Sequence, residues 1–131
     1  MFLSLKQIVF KEIHMEVDII ENKELELESK FLFNVNYNDD NSSCIARLRQ
    51  EVVSKKNTKE FNITVEALGN FNCEGIETGD DKKRAHVQSY ILVFPYVQNM
   101  IAQLANHAGL PPFMVDMAKM REEDVILELK Q

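Results

Sequence analysis

The chain has 131 residues and a mass of 15.2 kDa, enough for one domain with a core of ordinary size for its length. With 45% hydrophobic and 27% charged residues the composition is globular and excludes a disordered chain. A net charge of −6 excludes a general nucleic-acid binder, and the longest apolar run, Tyr90–Phe94, is too short to span a bilayer.

Residues 3–17 alternate: Leu3, Leu5, Val9, Ile13, Met15 and Val17 share one face, and Lys6, Glu12, His14 and Glu16 the other, with Ile8 and Phe10 interrupting. Period two over this length predicts a long strand with one buried face. The same stretch has no basic region followed by an apolar block, so a cleaved signal peptide is not expected and the chain is expected in the cytoplasm. Residues 19–23 form a brief connection whose geometry the pattern leaves open. A second strand is predicted over about 24–38, with Leu25, Leu27, Phe31, Phe33, Val35 and Tyr37 opposite Glu24, Glu26, Glu28, Lys30, Asn34 and Asn36. A helix would spread those glutamates around its circumference, so alternation outweighs the helix propensity of Glu and Leu.

NDDNSS (38–43) reads as a turn, and 44–54 as a third strand whose wet face carries Arg47 and Arg49. After KKNTK, a fourth strand over about 60–73 groups Phe61, Ile63, Val65 and Ala67, and Gly69 marks a bulge or the strand's end. Short turns after strands two and three predict antiparallel neighbours. GIETGDD (75–81) breaks the pattern, and Asp80 and Asp81 suit the first turn of a helix over about 81–108, where unpaired N–H groups favour negative charge. Val93, Val97, Met100 or Ile101, Leu104 and Ala108 keep helical spacing. Pro95 predicts either a kink near Phe94 or a short leading helix followed by a long one starting at Pro95. Gly109 suits a left-handed C′ position, with Leu110 folding back and Pro111 preventing continuation. A short amphipathic helix is expected over about 118–130, through Val125, Ile126 and Leu129. The predicted class is α+β: residues 1–131 form one domain, a four-stranded antiparallel sheet with a long helix, kinked or broken, and a short C-terminal helix on one face.

Residues 85–115 contain no Asp, Glu, Lys or Arg, although the chain is 27% charged. The polar positions there are neutral amides, Gln88, Gln98, Asn99, Gln103 and Asn106, which tolerate desolvation better than ions do. This predicts a helix buried on both sides, its own sheet beneath and another subunit above, with Val97, Gln98, Met100, Ile101, Gln103 and Leu104 at the interface. The outer sheet face is then rich in carboxylates: Glu12, Glu16, Glu24, Glu26, Glu28 and Glu66.

No GxSxG, HExxH, P-loop or GxGxxG motif occurs, and His14, His86 and His107 show no catalytic spacing, so neither an enzyme nor a cofactor or metal is expected. Cys44 and Cys73, without a CxxC or a nearby His set, read as reduced structural thiols.

The stretch VFPYVQNMIAQLANHAGLPPFMV (93–115) resembles the SecB family of export chaperones, through Val93-Phe94-Pro95-Tyr96 and Gly109-Leu110-Pro111-Pro112. Gly69-Asn70-Phe71 and the first strand's Leu3, Leu5, Val9, Ile13 and Met15 extend the resemblance over most of 3–115. It implies a subunit of four strands and two helices, in a homotetrameric dimer of dimers with helices between two sheet layers. It also implies an ATP-independent holdase for unfolded polypeptide clients, held in apolar grooves and passed to the SecA motor, with no membrane insertion. Carried over by position, client contacts fall on Leu25, Leu27, Phe113, Met114, Val115 and Met117, where flexible methionines suit varied sequences. The SecA-docking acidic positions fall on Glu12 and Glu16; the one on strand four falls at Thr64, with Glu66 two residues on. The chain departs from the family in having no Trp, a short 19–23 connection, and MAKMREEDVILELKQ in place of the usual tail. SecB-like relatives also serve single antitoxins, and some are phage-borne, so a chaperone dedicated to one such partner is the alternative expectation.

Overall fold

The computed structural model describes residues 1–18, 26–56, 59–111 and 113–127. Four strands, β1 (Phe2–Val17), β2 (Leu27–Tyr37), β3 (Ser43–Ser54) and β4 (Phe61–Glu74), precede one helix, α1 (Gly79–His107), and a 3-10 turn at Glu122–Asp124. The sheet is antiparallel throughout, in the order β1-β4-β3-β2. The two short turns place β2 beside β3 and β3 beside β4, as the turn lengths predict. β1 and β2 lie at opposite edges, and the residues joining them, 19–25, fall outside the described set.

The β2–β3 turn is built from its own side chains. Asn38 Oδ1 accepts the Ser43 N–H at 3.0 Å, Asp40 Oδ1 accepts the Ser42 N–H at 3.1 Å, and Asn41 takes φ 57°. Asn and Asp favour such turns because their short polar side chains satisfy local backbone groups and tolerate the left-handed region.

β1 explains its own interrupted alternation. Its pairing with β4 slips between Leu5 and Gln7 and again between Phe10 and Glu12, so Lys6 and Lys11 are extra residues in two β-bulges. Each bulge moves the following residues to the other face. Leu3, Leu5, Ile8, Phe10, Ile13, Met15 and Val17 therefore all lie on the helix side, in register with Cys73, Phe71, Gly69, Ala67, Val65, Ile63 and Phe61. Val9, predicted to share the buried face, instead pairs with Leu68 on the outer side and is exposed. Gly69 is neither a bulge nor a strand end, since β4 pairs regularly through it on both sides. Its role is close approach: a Cβ there would lie 2.7 Å from Val93 Cγ2, and Ala46 and Ala67 beside it are equally buried under the helix.

α1 is a single helix with Pro95 inside it, so the broken-helix alternative is not realised. Pro95 sits on the exposed side, where losing one backbone hydrogen bond costs least. The start is fixed by a capping box: Thr78 Oγ1 accepts the Asp81 N–H at 3.1 Å, and Asp81 Oδ2 accepts the Thr78 N–H at 3.1 Å. The end is a Schellman motif, with the Leu110 N–H bonded to the Ala105 carbonyl, the Gly109 N–H bonded to the Asn106 carbonyl, and Gly109 at φ 76°.

The core lies between α1 and the helix side of β3 and β4. Phe61, Ile63, Val65, Phe71 and Leu48 meet Tyr90, Val93, Phe94, Val97 and Ile101, all at 1% exposure or less. Each such side chain contributes about 1.5–3 kcal/mol by leaving water.

The helix expected over 118–130 is replaced, among described residues, by an irregular segment with one 3-10 turn. Its backbone is held by α1 instead: Gln98 Nε2 donates to the Val115 carbonyl at 2.9 Å, and the Ala118 N–H donates to Tyr90 Oη at 3.0 Å. Val125 is buried while its neighbour Ile126 is 91% exposed, so the apolar residues there do not form one helical face.

Candidate functional site

Segment 113–127 runs back along α1, and between it, α1 and β2 lies an aromatic groove. Phe31 and Phe33 alternate with Leu32 on β2, which puts both rings on the helix side. Tyr90 lies 5.6 Å from Phe31 and 5.3 Å from Phe33, centroid to centroid, and 5.6 Å from Phe94. His86 stacks edge-on to Phe33 at 4.9 Å, and its burial disfavours the protonated ring. Phe31 remains 39% exposed although it faces the helix, because the helix and following segment stop short of covering β2.

Two cavities continue this wall. One of about 380 Å³ is lined by Phe31, Phe33, His86, Met120 and Val125; one of about 520 Å³ by Phe33, Val35, Tyr37, Lys82, His86 and Ile126. Tyr37 Oη donates to the Lys82 carbonyl at 3.3 Å, which closes the far end of the groove against α1. Beside Phe31 in register, the buried Gln50 donates to Ser29 Oγ at 2.5 Å and leaves its Oε1 without a protein partner. This arrangement can take alternating apolar side chains of an extended chain, with Glu77, Lys82, Lys119, Arg121 and Asp124 in the lining to meet its polar groups.

The sequence-derived client positions scatter around this groove. Leu27 is half-buried at the start of β2, and Leu25 falls outside the described residues. Val115 is buried and Phe113 is half-buried with its ring 6.1 Å from Phe61, so both serve the core. Met114 and Met117 are exposed at 61% and 41%, and of the set they are the two free to meet a ligand. Phe31, Phe33, His86 and Tyr90 were not among the sequence-derived positions; the signal available was two aromatics at i and i+2 on an edge strand.

The interface positions also divide. Val97 and Ile101 are fully buried against the protein's own sheet, and no second subunit can touch them; periodicity marks a buried stripe without saying what buries it. Gln98 is spent on Val115, Met100 and Leu104 are half-buried beside the core, and Gln103 is exposed. The outward apolar stripe is Ile91, Leu92 and Tyr96, at 46%, 41% and 47% exposure.

On the outer sheet face the carboxylates are mostly paired. Arg47 grips Glu66 with two hydrogen bonds, Nε to Oε1 at 3.0 Å and Nη2 to Oε2 at 3.1 Å, and Arg49 Nη1 meets Glu12 Oε2 at 2.6 Å. The Glu66 side chain is only 5% exposed, while Glu16 is exposed beside His14. Arg47 holds the Glu66 carboxyl below the ordinary carboxylate range, although burial alone would raise it. At the helix start, N–H groups of Glu77 and Thr78 lower Asp81 to about 2.

Both groups have depressed folded-state values, so each stabilises the fold above its unfolded pKa, about 3.9 for Asp and 4.3 for Glu. That contribution is lost as pH falls. Urea midpoints should therefore drop progressively below about pH 5. Glu66→Gln should flatten the upper part of this decline while Thr78→Ala leaves it, and coincident profiles for E66Q and the wild type would contradict the assignment.

Among the described residues no helix is long and apolar enough to cross a membrane, and no group of three or more His, Cys, Asp or Glu could hold a metal ion. A four-stranded antiparallel sheet backed by one long helix, with an open aromatic groove along its edge strand, is the architecture of the SecB-like fold. The model of the SecB family, described as preprotein translocase subunit SecB, matches residues 3–121, and the chain belongs to that family. The fold is similar to that of the Mycobacterium tuberculosis Rv1957 SecB-like chaperone, solved in complex with a ChAD peptide from the Rv1956 HigA1 antitoxin. The TM-score is 0.70 at 14% identity, covering 89% of this chain and 88% of that one. It is also similar to a Streptococcus agalactiae protein of unknown function, at TM-score 0.56 and 14% identity, over 88% of this chain and 97% of that one. No curated protein sequence matches. Membership of the family supports a chaperone role.

Proposed function

We propose that this protein is an ATP-independent holdase that binds non-native or precursor polypeptides in the groove between β2, α1 and segment 113–127. The observation that carries this reading is the half-open aromatic wall of Phe31 and Phe33, which packs inward on the buried Tyr90 while Phe31 stays 39% exposed. Met120 adds adaptable apolar surface to its lining, and Met114 and Met117 are exposed on the same segment. The working unit in this reading is a cytoplasmic homotetramer whose subunits meet through the uncharged outer side of α1, at Ile91, Leu92 and Tyr96. Delivery to the SecA motor would use the exposed carboxylate of Glu16, which lies beside His14, with Glu12 and Glu66 already committed to arginines.

A second reading, a chaperone dedicated to one partner such as an antitoxin or a phage protein, is favoured by the peptide-bound SecB-like relative. One experiment addresses both. The purified protein, without nucleotide, should suppress aggregation of a slow-folding, chemically denatured client at about equimolar subunits. No suppression would refute the general holdase. Affinity capture from the native host then separates the readings: a heterogeneous set of unfolded clients supports the first, and a single stoichiometric partner supports the second.

A further inference from the structure

We propose that Cys44 and Cys73 are a redox modification site, closing to an intramolecular disulfide when a small peroxide reaches them. This inference is independent of the chaperone reading. Cys44 lies on β3 in register with Phe71 of β4, and Cys73 stands two residues further along β4, so the two side chains meet diagonally on the helix side. Their sulfurs are 3.5 Å apart, with both thiols free. A disulfide bond is about 2.05 Å long, so the two sulfurs need to close by about 1.5 Å from their 3.5 Å separation. The ladder itself is firm there, as the Cys73 N–H donates to the Ser42 carbonyl at 2.8 Å.

The surroundings decide which oxidant can act. Cys44 is 3% exposed and Cys73 6%, too little for a peptide-sized disulfide to reach either sulfur. Burial also disfavours both thiolates, so the pair rests reduced and reacts slowly. Hydrogen peroxide is small and neutral enough to enter. Cys73, the less deeply buried, loses its proton, and its sulfur attacks one peroxide oxygen. The O–O bond breaks, a sulfenic acid forms, and the departing hydroxide leaves as water with that proton. Cys44 sulfur then attacks the Cys73 sulfur, the S–O bond breaks, and the second hydroxide takes the Cys44 proton as water. The thiols lose two electrons, and the peroxide gains them.

The bond would join the start of β3 to the end of β4, just before Gly75 turns the chain towards the α1 cap at Thr78. It would fix the edge from which the helix departs and close a loop of 29 residues' separation.

The test treats the folded full-length protein with hydrogen peroxide, then unfolds it in N-ethylmaleimide and measures intact mass. The expected result is loss of two hydrogens and of both maleimide adducts together, restored by dithiothreitol, with a rate rising about tenfold per pH unit. Oxidised glutathione should give no such product from the folded protein. The disulfide form should melt about 10 °C higher than the reduced form. Cys44→Ser and Cys73→Ser should each abolish the two-hydrogen loss; the wild-type mass measurement stands even if one variant folds poorly. Oxygen addition without joint loss of both thiols, or a disulfide that leaves the melting temperature unchanged, would overturn the proposal.

Discussion

Val97→Asp unfolds the subunit, whereas Leu92→Asp leaves it folded and breaks its assembly. The two residues are five apart on one helix and face opposite ways. Val97 is 0% exposed in the apolar core between α1 and the sheet. An unpaired charge there costs about 4–5 kcal/mol or more, against a total stability of about 5–15 kcal/mol for a domain of ordinary size. The expected melt is shifted down by tens of degrees or is non-cooperative. Leu92 is 41% exposed, so an Asp there stays hydrated in the isolated subunit and costs little. In the proposed tetramer the same carboxylate would be pressed between helices bearing no charge from residue 85 to 115. Light scattering should then report a smaller particle with wild-type melting cooperativity. A Leu92→Asp protein of unchanged mass would remove the outer face of α1 from the interface.

Phe31→Asp should weaken binding of an unfolded client at least tenfold, while Leu32→Asp leaves it within about twofold. Adjacent residues on a strand point to opposite faces, so this pair separates the groove from the outer sheet surface at one height of β2. Phe31 contacts Tyr90 and closes the wall of the 380 Å³ cavity; Leu32 is 72% exposed among Lys30, Arg49 and Glu51. Phe31 is itself 39% exposed, so its replacement should spare the fold. Fluorescence anisotropy with a labelled, permanently unfolded client gives both affinities. Equal loss from the two variants would mean that binding follows total exposed apolar surface rather than this groove.

The strands were legible because a half-buried sheet imposes period two, and Phe31–Tyr37 keeps it, with Phe31, Phe33, Val35 and Tyr37 on one face. The break in β1 at Ile8 and Phe10 was visible too, but a bulge changes only the register, and alternation alone does not separate a bulge from an ill-placed apolar residue. The helix was legible in extent and in both ends. Its outward side was not, because 3.6-residue spacing marks Val97 and Ile101 as buried while leaving open whether a sheet or a subunit covers them. The groove was the least legible part. It depends on Gln98 and Tyr90 capturing the backbone of 115–118, and such long-range side-chain bonds leave no periodic trace.

The two bulges of β1 have one further effect. A protein that handles unfolded chains risks becoming a template on which they stack as strands, and a sixteen-residue edge is a long one to leave open. The bulges divide it, so its longest regular run is Glu12–Val17, and each break carries a lysine, Lys6 or Lys11. A passing chain in plain extended form cannot follow that edge past either break without leaving hydrogen bonds unmade or meeting a charge. The interruption in the pattern is thus a safeguard against seeding aggregates on the protein's own surface.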